Sequence, residues 1–179
     1  MVYTFKTAVM KKMKRVTAVF ILMLFISMNL AGQGNRPSNS LPKPKGWVSD
    51  FENILNEAQK RDLTLIIENF EKKTGNEIAV VTVDSIGPYT DFMKYAVDLG
   101  SFWGIGKKDK NNGALIVVSK KLRKVRILTG LGTEKILTNE ICAQIINQSM
   151  VPDFKAGNYY LGIKSGLQDL IRRWMGSQD

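Results

Sequence analysis

Apolar positions in the first half of the chain follow a helical period and then an extended one. The helical stretch has the i, i+3, i+4, i+7 spacing of one buried face, in Leu63, Ile66, Ile67 and Phe70. Asn56, with a glutamine three residues later, matches a capping box and predicts the start of this helix, and Gly75 suits its end. The run 78–83 is short, continuous and β-branched, which predicts a strand buried on both faces.

A second helix and a strand hairpin follow in the sequence. Thr90 or Asp91 suits the start of the helix, whose apolar face holds Phe92, Tyr95, Ala96, Leu99 and Trp103. Two strand-like runs, 114–118 and 125–129, are separated by a polar turn and predict a hairpin. A strand, a helix and a strand form a βαβ unit, so we expect its strands to be parallel and its crossover right-handed. The second hairpin strand then runs antiparallel, which makes the predicted sheet mixed.

The last third of the chain is predicted to be helical. Thr138 suits the N-cap of a third helix that Pro152 ends, and Cys142 lies on the apolar face of that helix as a small core residue. Asn158 suits the N-cap of a last helix, whose apolar face holds Tyr160, Ile163, Leu167, Leu170, Ile171 and Trp174. Helices and strands in this order predict an α/β fold with a mixed, mostly short-stranded central sheet.

The N-terminal segment has the pattern of an export signal. A basic region at 11–15 precedes the apolar run 16–28, and small residues follow it. The run is shorter than the ~20 residues of a membrane-spanning helix, although an uncleaved signal anchor stays open as an alternative. We assign residues 1–34 to a signal peptide, 35–46 to a proline-rich linker and 47–175 to the folded domain. The basic flank predicts export, to the periplasm or outside the cell.

Composition limits the chemistry that this domain has available. The 179-residue chain has 26 lysines and arginines against 16 acidic residues, and five of the basic residues precede the apolar run. The remaining domain is mildly basic, which gives no strong indication of nucleic-acid binding. The chain has no histidine and one cysteine, which excludes Ser-His-Asp triads, most catalytic zinc sites and an internal disulfide. Any metal ion must therefore be held by oxygens, which favours calcium, magnesium or manganese.

Glycine-rich loops with oxygen-bearing side chains flank the hairpin. One reads WGIGKKDKNNG over 103–113, and the other reads GLGTE over 130–134. Glycine allows positive φ or close approach of the backbone, and both help a loop to wrap an ion, although ordinary tight turns show the same pattern. The first loop is not a dinucleotide fingerprint, because Asp109 replaces the third glycine and no helix follows. A P-loop and an EF-hand pattern are absent as well.

Five loop residues are candidate metal ligands: Asp50, Asp84, Asp109, Asn112 and Glu134. Calcium accepts about 6–8 oxygens from carboxylates, amides, carbonyls and water, so scattered loop residues suffice. Our hypothesis is that Glu134 and Asp50 converge on one divalent site at the loop end of the sheet, with an affinity of about 10⁻⁵ to 10⁻³ M. Calcium is the expected ion, with magnesium or manganese as alternatives. The competing interpretation is that these acids only cap turns.

The residues around the hairpin also carry a resemblance to the TPM-domain family. It rests on WGIG at 103–106, NGALIVV at 112–118 and RILTGLGTE at 126–134, and extends to 48–50, 74–83 and 150–159. That family includes thylakoid-lumen, photosystem-repair, receptor-accessory and bacterial envelope proteins. The resemblance implies a three-layer α/β/α sandwich with a metal-binding acidic cluster, and it places Asp50, Asn112 and Glu134 in family motifs. Asn111 and Asn139 stand where relatives often carry aspartate, which predicts weaker metal binding.

Two classes of function follow from the residues and the resemblance. In the first, the chain is an exported, monomeric binding domain whose divalent ion orders its loops and which assists an envelope membrane protein, with no nucleic-acid partner. In the second, which the resemblance implies for some members, it is a metal-dependent acid phosphatase. A metal-activated water, with Asp50 or Glu134 as base and Arg126 or Lys107 on the phosphate, is the route available. We favour the binding domain because no nucleophile motif is present.

The hairpin turn is strongly basic. Residues 120–124 include three lysines and an arginine, and Arg126 follows in the second strand. Lysines commonly protect an exposed edge strand from pairing with other chains, so we predict an exposed edge here. Binding of an anionic partner, such as phosphate or a lipid headgroup, is the alternative.

Overall fold

The computed structural model describes residues 41–176. The predicted signal peptide and residues 35–40 of the predicted linker lie outside this range, so export and cleavage stay predictions. The described elements, in chain order, are β1 (Val48–Asp50), α1 (Glu57–Thr74), β2 (Glu77–Thr82), α2 (Phe92–Trp103), β3 (Gly113–Ser119), β4 (Lys124–Thr129), α3 (Asn139–Ile145), a π-helical segment (Ile146–Met150), α4 (Val151–Lys155) and α5 (Tyr159–Met175). No helix within 41–176 has the length and apolar character needed to cross a membrane.

The four strands form one mixed sheet in the order β1-β2-β3-β4. The first three are parallel, with Val80 opposite both Val48 and Ile116, and β4 is antiparallel to β3, with Ile127 opposite Ile116. The predicted βαβ pairing and hairpin are therefore confirmed. Strand β1 was not predicted, because three residues are too few to show a period.

Helices cover both faces of the sheet, unequally. Apolar residues of α1, α3, the π-helical segment and α5 pack on one face, in a first core that includes Ile67, Ile116 and Trp174. Of the helices within 41–176, α2 alone packs on the other face, in a second core that includes Leu99, Val81 and Leu115. These layers confirm the three-layer α/β/α sandwich that the resemblance implies.

The two crossover connections have opposite hands. Both move the chain one strand in the same direction across the sheet, but α1 crosses one face and α2 crosses the other. One of the two crossovers must therefore be left-handed, which is rare for parallel strands. We expected a right-handed crossover for the unit β2-α2-β3 from the general preference of parallel strands. This sheet does not follow that preference in both of its crossovers.

Side-chain caps fix most of the helix starts that the sequence predicts. Asn56 and Gln59 form the predicted capping box, and Gly75 ends α1 with φ of 70°. Asp91 caps α2 and Thr138 caps α3, each accepting a hydrogen bond from a backbone N–H three residues later. Asn158 lies at the N-cap position of α5, but its side chain makes no capping hydrogen bond.

Two boundary predictions are wrong. Pro152 does not end a helix: after the π-helical segment, it lies in the first turn of α4, where its missing N–H costs nothing because that group has no helical partner. Residues 41–46 are not all outside the core. Leu41 is buried in the second core, and the Pro42 carbonyl accepts a hydrogen bond from the Trp103 indole N–H at 2.7 Å.

Candidate functional site

The sheet has two edges at which loops meet, and they differ in what they hold. We call the carboxyl edge the one where β1, β2 and β3 end and β4 begins. The amino edge is the opposite one, where β2 and β3 begin and β4 ends. Asp50 and Asp84 lie at the carboxyl edge, whereas Asp109, Asn112 and Glu134 lie at the amino edge. The structure thus divides the five predicted ligands between two separate places.

Asp50 is a buried residue at the end of β1. Its side chain is 7% exposed, and its carboxylate accepts hydrogen bonds from the backbone N–H groups of Ile54 and Leu55, at 3.2 and 2.8 Å, and from the Thr82 hydroxyl. Because these donors occupy both carboxylate oxygens, Asp50 fixes the turn between β1 and α1. Its role as a metal ligand stays a prediction.

Two further carboxylates at the carboxyl edge, those of Glu52 and Asp84, lie against the basic hairpin turn. Glu52 accepts the backbone N–H groups of Lys120 and Lys121, at 2.8 and 2.7 Å, which ties the turn to the loop after β1. Asp84 is exposed, and its carboxylate lies 4.0 Å from the Lys121 ammonium group. Sequence reasoning missed the part played by Glu52, because its partners lie 68 and 69 residues away along the chain.

Asn112 orders the loop that leads into β3, which we call loop A (residues 104–112). Its side-chain oxygen accepts the Lys107 N–H at 2.9 Å, and its amide group donates to Gly75 and Asn76. Glu77, at the start of β2, accepts the Gly106 N–H at 2.8 Å and fixes the other half of the loop. Asn112 is 8% exposed, so the visible role of this predicted ligand is to shape loop A.

Loop A is in direct backbone contact with the loop after β4, which we call loop B (residues 130–138). The Gly132 N–H donates to the Asn111 carbonyl at 3.1 Å. A Cβ atom at Gly132 would overlap the Lys110 carbonyl, and one at Gly130 would overlap the Asn111 carbonyl. The paired glycines are therefore required by the close approach of the two loops.

The contact between the loops leaves two carboxylates at the surface. Asp109, in loop A, and Glu134, in loop B, are both exposed. Next to Glu134 in loop B is a polar group that sequence reasoning missed: Thr133 is 1% exposed, and its hydroxyl is the one buried side-chain oxygen within 41–176 that has no hydrogen-bond partner. A buried hydroxyl without a partner costs ~1–3 kcal/mol, so this loop has an oxygen whose pairing would be favourable.

The hypothesis that Glu134 and Asp50 converge on one site is wrong for this fold. Strand β4 is antiparallel, so the loop after it returns to the amino edge, while Asp50 ends β1 at the carboxyl edge. Across the sheet, Asp50 is in register with Val118 of β3. Thr129, at the end of β4, is in register with Ala114, which lies four residues before Val118 on β3. With ~3.3 Å per residue and ~4.8 Å per strand, the end of β4 lies about 20 Å from Asp50.

Neither edge has a dense cluster of metal ligands. Within the described part of the chain, no three carboxylate or thiol side chains are grouped so that they could hold a metal ion. At the amino edge an ion would have two exposed carboxylates, backbone carbonyls and water. That donor set fits calcium, which accepts neutral oxygens in irregular geometry, better than it fits magnesium.

Cys142 lies in the core beneath loop B. Burial, and secondarily the nearby charge of Glu134, raise the pKa of its thiol to about 11. A thiol with this pKa is protonated at neutral pH, so it is a poor nucleophile. Its predicted place on the buried face of the third helix is confirmed.

Two open grooves flank the sheet. One, of 450 Å³, lies between β1 and α1, and its charged lining is Asp50, Glu57, Lys45, Lys60 and Arg61, of which Glu57 and Lys60 form an ion pair. The other, of 580 Å³, lies between α2 and β4 and is mostly apolar. Sequence periodicity could not indicate either groove, because each depends on how a helix is placed over the sheet.

Comparison with known proteins identifies relatives of this arrangement. A family model described as the TPM domain, TPM_phosphatase, matches residues 48–173. The N-terminal domain of a P. gingivalis protein is similar, with 32% identity and a TM-score of 0.67, over 73% of this chain and 83% of that one. A protein of Bizionia argentinensis has 21% identity and a TM-score of 0.62, over 70% and 85% of the two chains, and shows the fold alone. The search of curated proteins gave no significant match.

Proposed function

The chain belongs to the TPM-domain family, and from that premise we propose that it is an exported binding domain that takes calcium weakly on loops A and B. The observation that carries the proposal is the backbone contact between these loops, through the Gly132 N–H and the Asn111 carbonyl. This contact brings together the two loops that present Asp109 and Glu134, while the carboxylate of Asp50 is engaged elsewhere.

The proposed site is of the weak type. Two carboxylates and several neutral oxygens carry little negative charge, and the neighbouring lysines at 107, 108, 110 and 135 reduce it further. We therefore expect a dissociation constant of about 10⁻⁵ to 10⁻³ M. Magnesium should bind more weakly, because it requires near-ideal octahedral geometry.

Calorimetry on a set of charge-neutral variants tests the proposal. Glu134→Gln and Asp109→Asn should each weaken calcium binding at least fivefold, since each removes one of two carboxylates (about 1 kcal/mol or more). Asp84→Asn is the matched control, because Asp84 is also exposed but lies at the opposite edge. Equal calcium binding by the wild type and all three variants would remove loops A and B from the site.

We further propose that the ion orders the loops for binding to an envelope membrane protein, and that the chain acts in the maintenance of such proteins. Family membership and the export pattern at 11–34 support this proposal. Mass spectrometry of the exported chain tests the export step. A mature N-terminus between residues 32 and 35 is expected, and an intact N-terminus held in the membrane would contradict cleavage.

A second candidate function is acid phosphatase activity in the groove between β1 and α1. The specific observation in its favour is the lining of this groove, where the three cations Lys45, Lys60 and Arg61 outnumber the two carboxylates. Cations of this kind clamp phosphoryl oxygens. Hydrolysis of p-nitrophenyl phosphate by the wild type would support this activity if Arg61→Gln abolishes it. Lys121→Gln, in the hairpin turn, is the control and should preserve the hydrolysis. We favour binding, because both oxygens of Asp50 already accept hydrogen bonds.

A further inference from the structure

A further cavity, of 350 Å³, lies at the amino edge beside the first residues of β2. Strand β1 begins only at Val48, opposite Val80, so residues 77–79 of β2 have no strand partner on that side. Glu77 and Ala79 line the cavity, together with residues of the segment before β1 and of the start of loop A. Its volume is typical of a small-ligand site. We call this space the notch cavity.

Two tryptophans line the notch cavity. Trp47 packs against the first core and Trp103 against the second, so the two indoles reach the cavity from opposite faces of the sheet. The Trp103 indole is fixed by the hydrogen bond from its N–H to the Pro42 carbonyl. Both tryptophans are half-buried, so each has aromatic surface that a ligand can cover.

Glu77 is the one charged side chain among the described residues that line the notch cavity. One of its carboxylate oxygens accepts the Gly106 N–H at 2.8 Å, which leaves the other oxygen for a ligand. No lysine or arginine of residues 41–176 forms an ion pair with it. A half-buried carboxylate without a cation favours a positively charged ligand, because it has lost part of its hydration and gained no opposite charge.

The chain places its own lysines over other aromatic rings. Lys45 lies 4.8 Å from the centroid of the Phe51 ring, and three further lysines within 41–176 lie over tyrosine rings. In the same part of the chain, no such contact is made to Trp47 or Trp103, although indole is the side chain that attracts cations most strongly. The two indoles of the notch cavity are therefore free to receive a cationic ligand.

We propose that the notch cavity binds a quaternary ammonium group. The two indoles attract such a cation, and Glu77 supplies the opposite charge. Its alkyl groups would contact the apolar part of the lining, which includes Pro44 and Ile105. A primary ammonium group fits less well, because it has three N–H donors to satisfy and Glu77 is the one carboxylate of the lining. A calcium ion fits less well, because it takes about 6–8 oxygens.

The test compares choline with 3,3-dimethylbutan-1-ol, which has the same shape with a carbon in place of the charged nitrogen. Both are titrated into isotope-labelled protein in the presence of a calcium chelator, so the result does not depend on the calcium site proposed for loops A and B. Choline should bind saturably and shift the indole N–H resonances of Trp47 and Trp103, with no change at the buried Trp174. The neutral alcohol should bind at least about tenfold more weakly, because it lacks the charge.

Glu77→Gln is the decisive variant. The glutamine keeps an oxygen for the Gly106 N–H, so loop A stays ordered, and it removes only the charge. Choline binding should weaken about fivefold, whereas binding of the neutral alcohol should not change. Asp84→Asn, at the carboxyl edge, is the matched control and should change neither affinity. Equal loss of both ligands in Glu77→Gln would mean that the carboxylate acts only through loop A and would overturn the proposal.

Phosphatidylcholine vesicles separate the two sources of a quaternary ammonium group. Binding of free choline assigns the notch cavity to a small solute. Vesicle binding that Glu77→Gln weakens, without binding of free choline, assigns it to a lipid headgroup. Equal binding of choline and the neutral alcohol, choline shifts that spare Trp47 and Trp103, or no binding of either choline or vesicles would overturn the proposal.

Discussion

The two edges of this sheet differ in whether the predicted acidic ligands are themselves used to order the loops. At the carboxyl edge, Asp50 and Glu52 accept backbone N–H groups and in doing so use their own oxygens. At the amino edge, Asn112 and Glu77 shape loop A, backbone contacts of glycines join it to loop B, and Asp109 and Glu134 remain exposed. An acidic residue in a family motif is therefore available to a ligand only where something else orders the loop.

The largest effect is expected where a side chain fills the glycine contact between loops A and B. Gly132→Ala places a Cβ against the Lys110 carbonyl, so it should destabilise the fold by about 3 kcal/mol and abolish calcium binding. Chemical denaturation and calorimetry measure the two effects. Gly100→Ala is the control, because its Cβ would lie 3.6 Å from the side chains of Leu115 and Leu128. A fully stable Gly132→Ala variant would show that the loops are not held by backbone contact.

At the carboxyl edge, Asp50→Asn should act on stability and not on calcium. The amide keeps one acceptor oxygen and turns its NH₂ group toward the remaining donors, either Leu55 N–H or those of Ile54 and Thr82, at a cost of about 2 kcal/mol in the free energy of unfolding. Asp84→Asn, at the same edge but exposed, should stay within about 0.5 kcal/mol of the wild type. Loss of calcium binding with unchanged stability in Asp50→Asn would reverse the roles that we assign to the two edges.

At the amino edge, the buried hydroxyl of Thr133 provides a test of how loop B is ordered without calcium. Without calcium, Thr133→Val should be stabilising by about 1 kcal/mol, because it replaces an unpaired hydroxyl with a methyl group of similar shape. Thermal unfolding in chelator measures this change, and Ser101→Ala on the surface of α2 is a control. A destabilised Thr133→Val variant would mean that the hydroxyl has a partner in solution.

The smallest expected effect is on the titration of Cys142. Burial raises the pKa of this thiol to about 11, so its contribution to stability is complete below the ordinary value of about 8.5 and is lost as pH rises toward 11. Glu134→Gln should lower this pKa slightly, because the glutamate charge disfavours the thiolate. Thiolate absorbance against pH measures the pKa of Cys142, with Asp84→Asn as the control. An unchanged pKa in Glu134→Gln would mean that the Glu134 charge lies far from this thiol.

Local sequence signals predicted the elements well and the site poorly. The capping box at Asn56 and the apolar period of α1 depend on neighbours within one or two turns, so the sequence displays them directly. The separation of Asp50 from Glu134 depends on strand direction. An antiparallel β4 was predicted, but the hypothesis overlooked that such a strand carries Glu134 to the edge opposite Asp50. The engagement of Asp50 and Glu52 and the shape of the groove between α2 and β4 arise from contacts between distant segments, which no sequence period records.

A calcium titration followed by nuclear magnetic resonance shows directly at which edge of the sheet the ion binds. We expect saturable shifts in loops A and B, largest near Asp109, Thr133 and Glu134, with little change at Asp50 and Asp84. Those shifts should weaken in Glu134→Gln and persist in Asp84→Asn. Calcium-dependent shifts centred on Asp50, with loops A and B unchanged, would contradict the proposed calcium site on loops A and B.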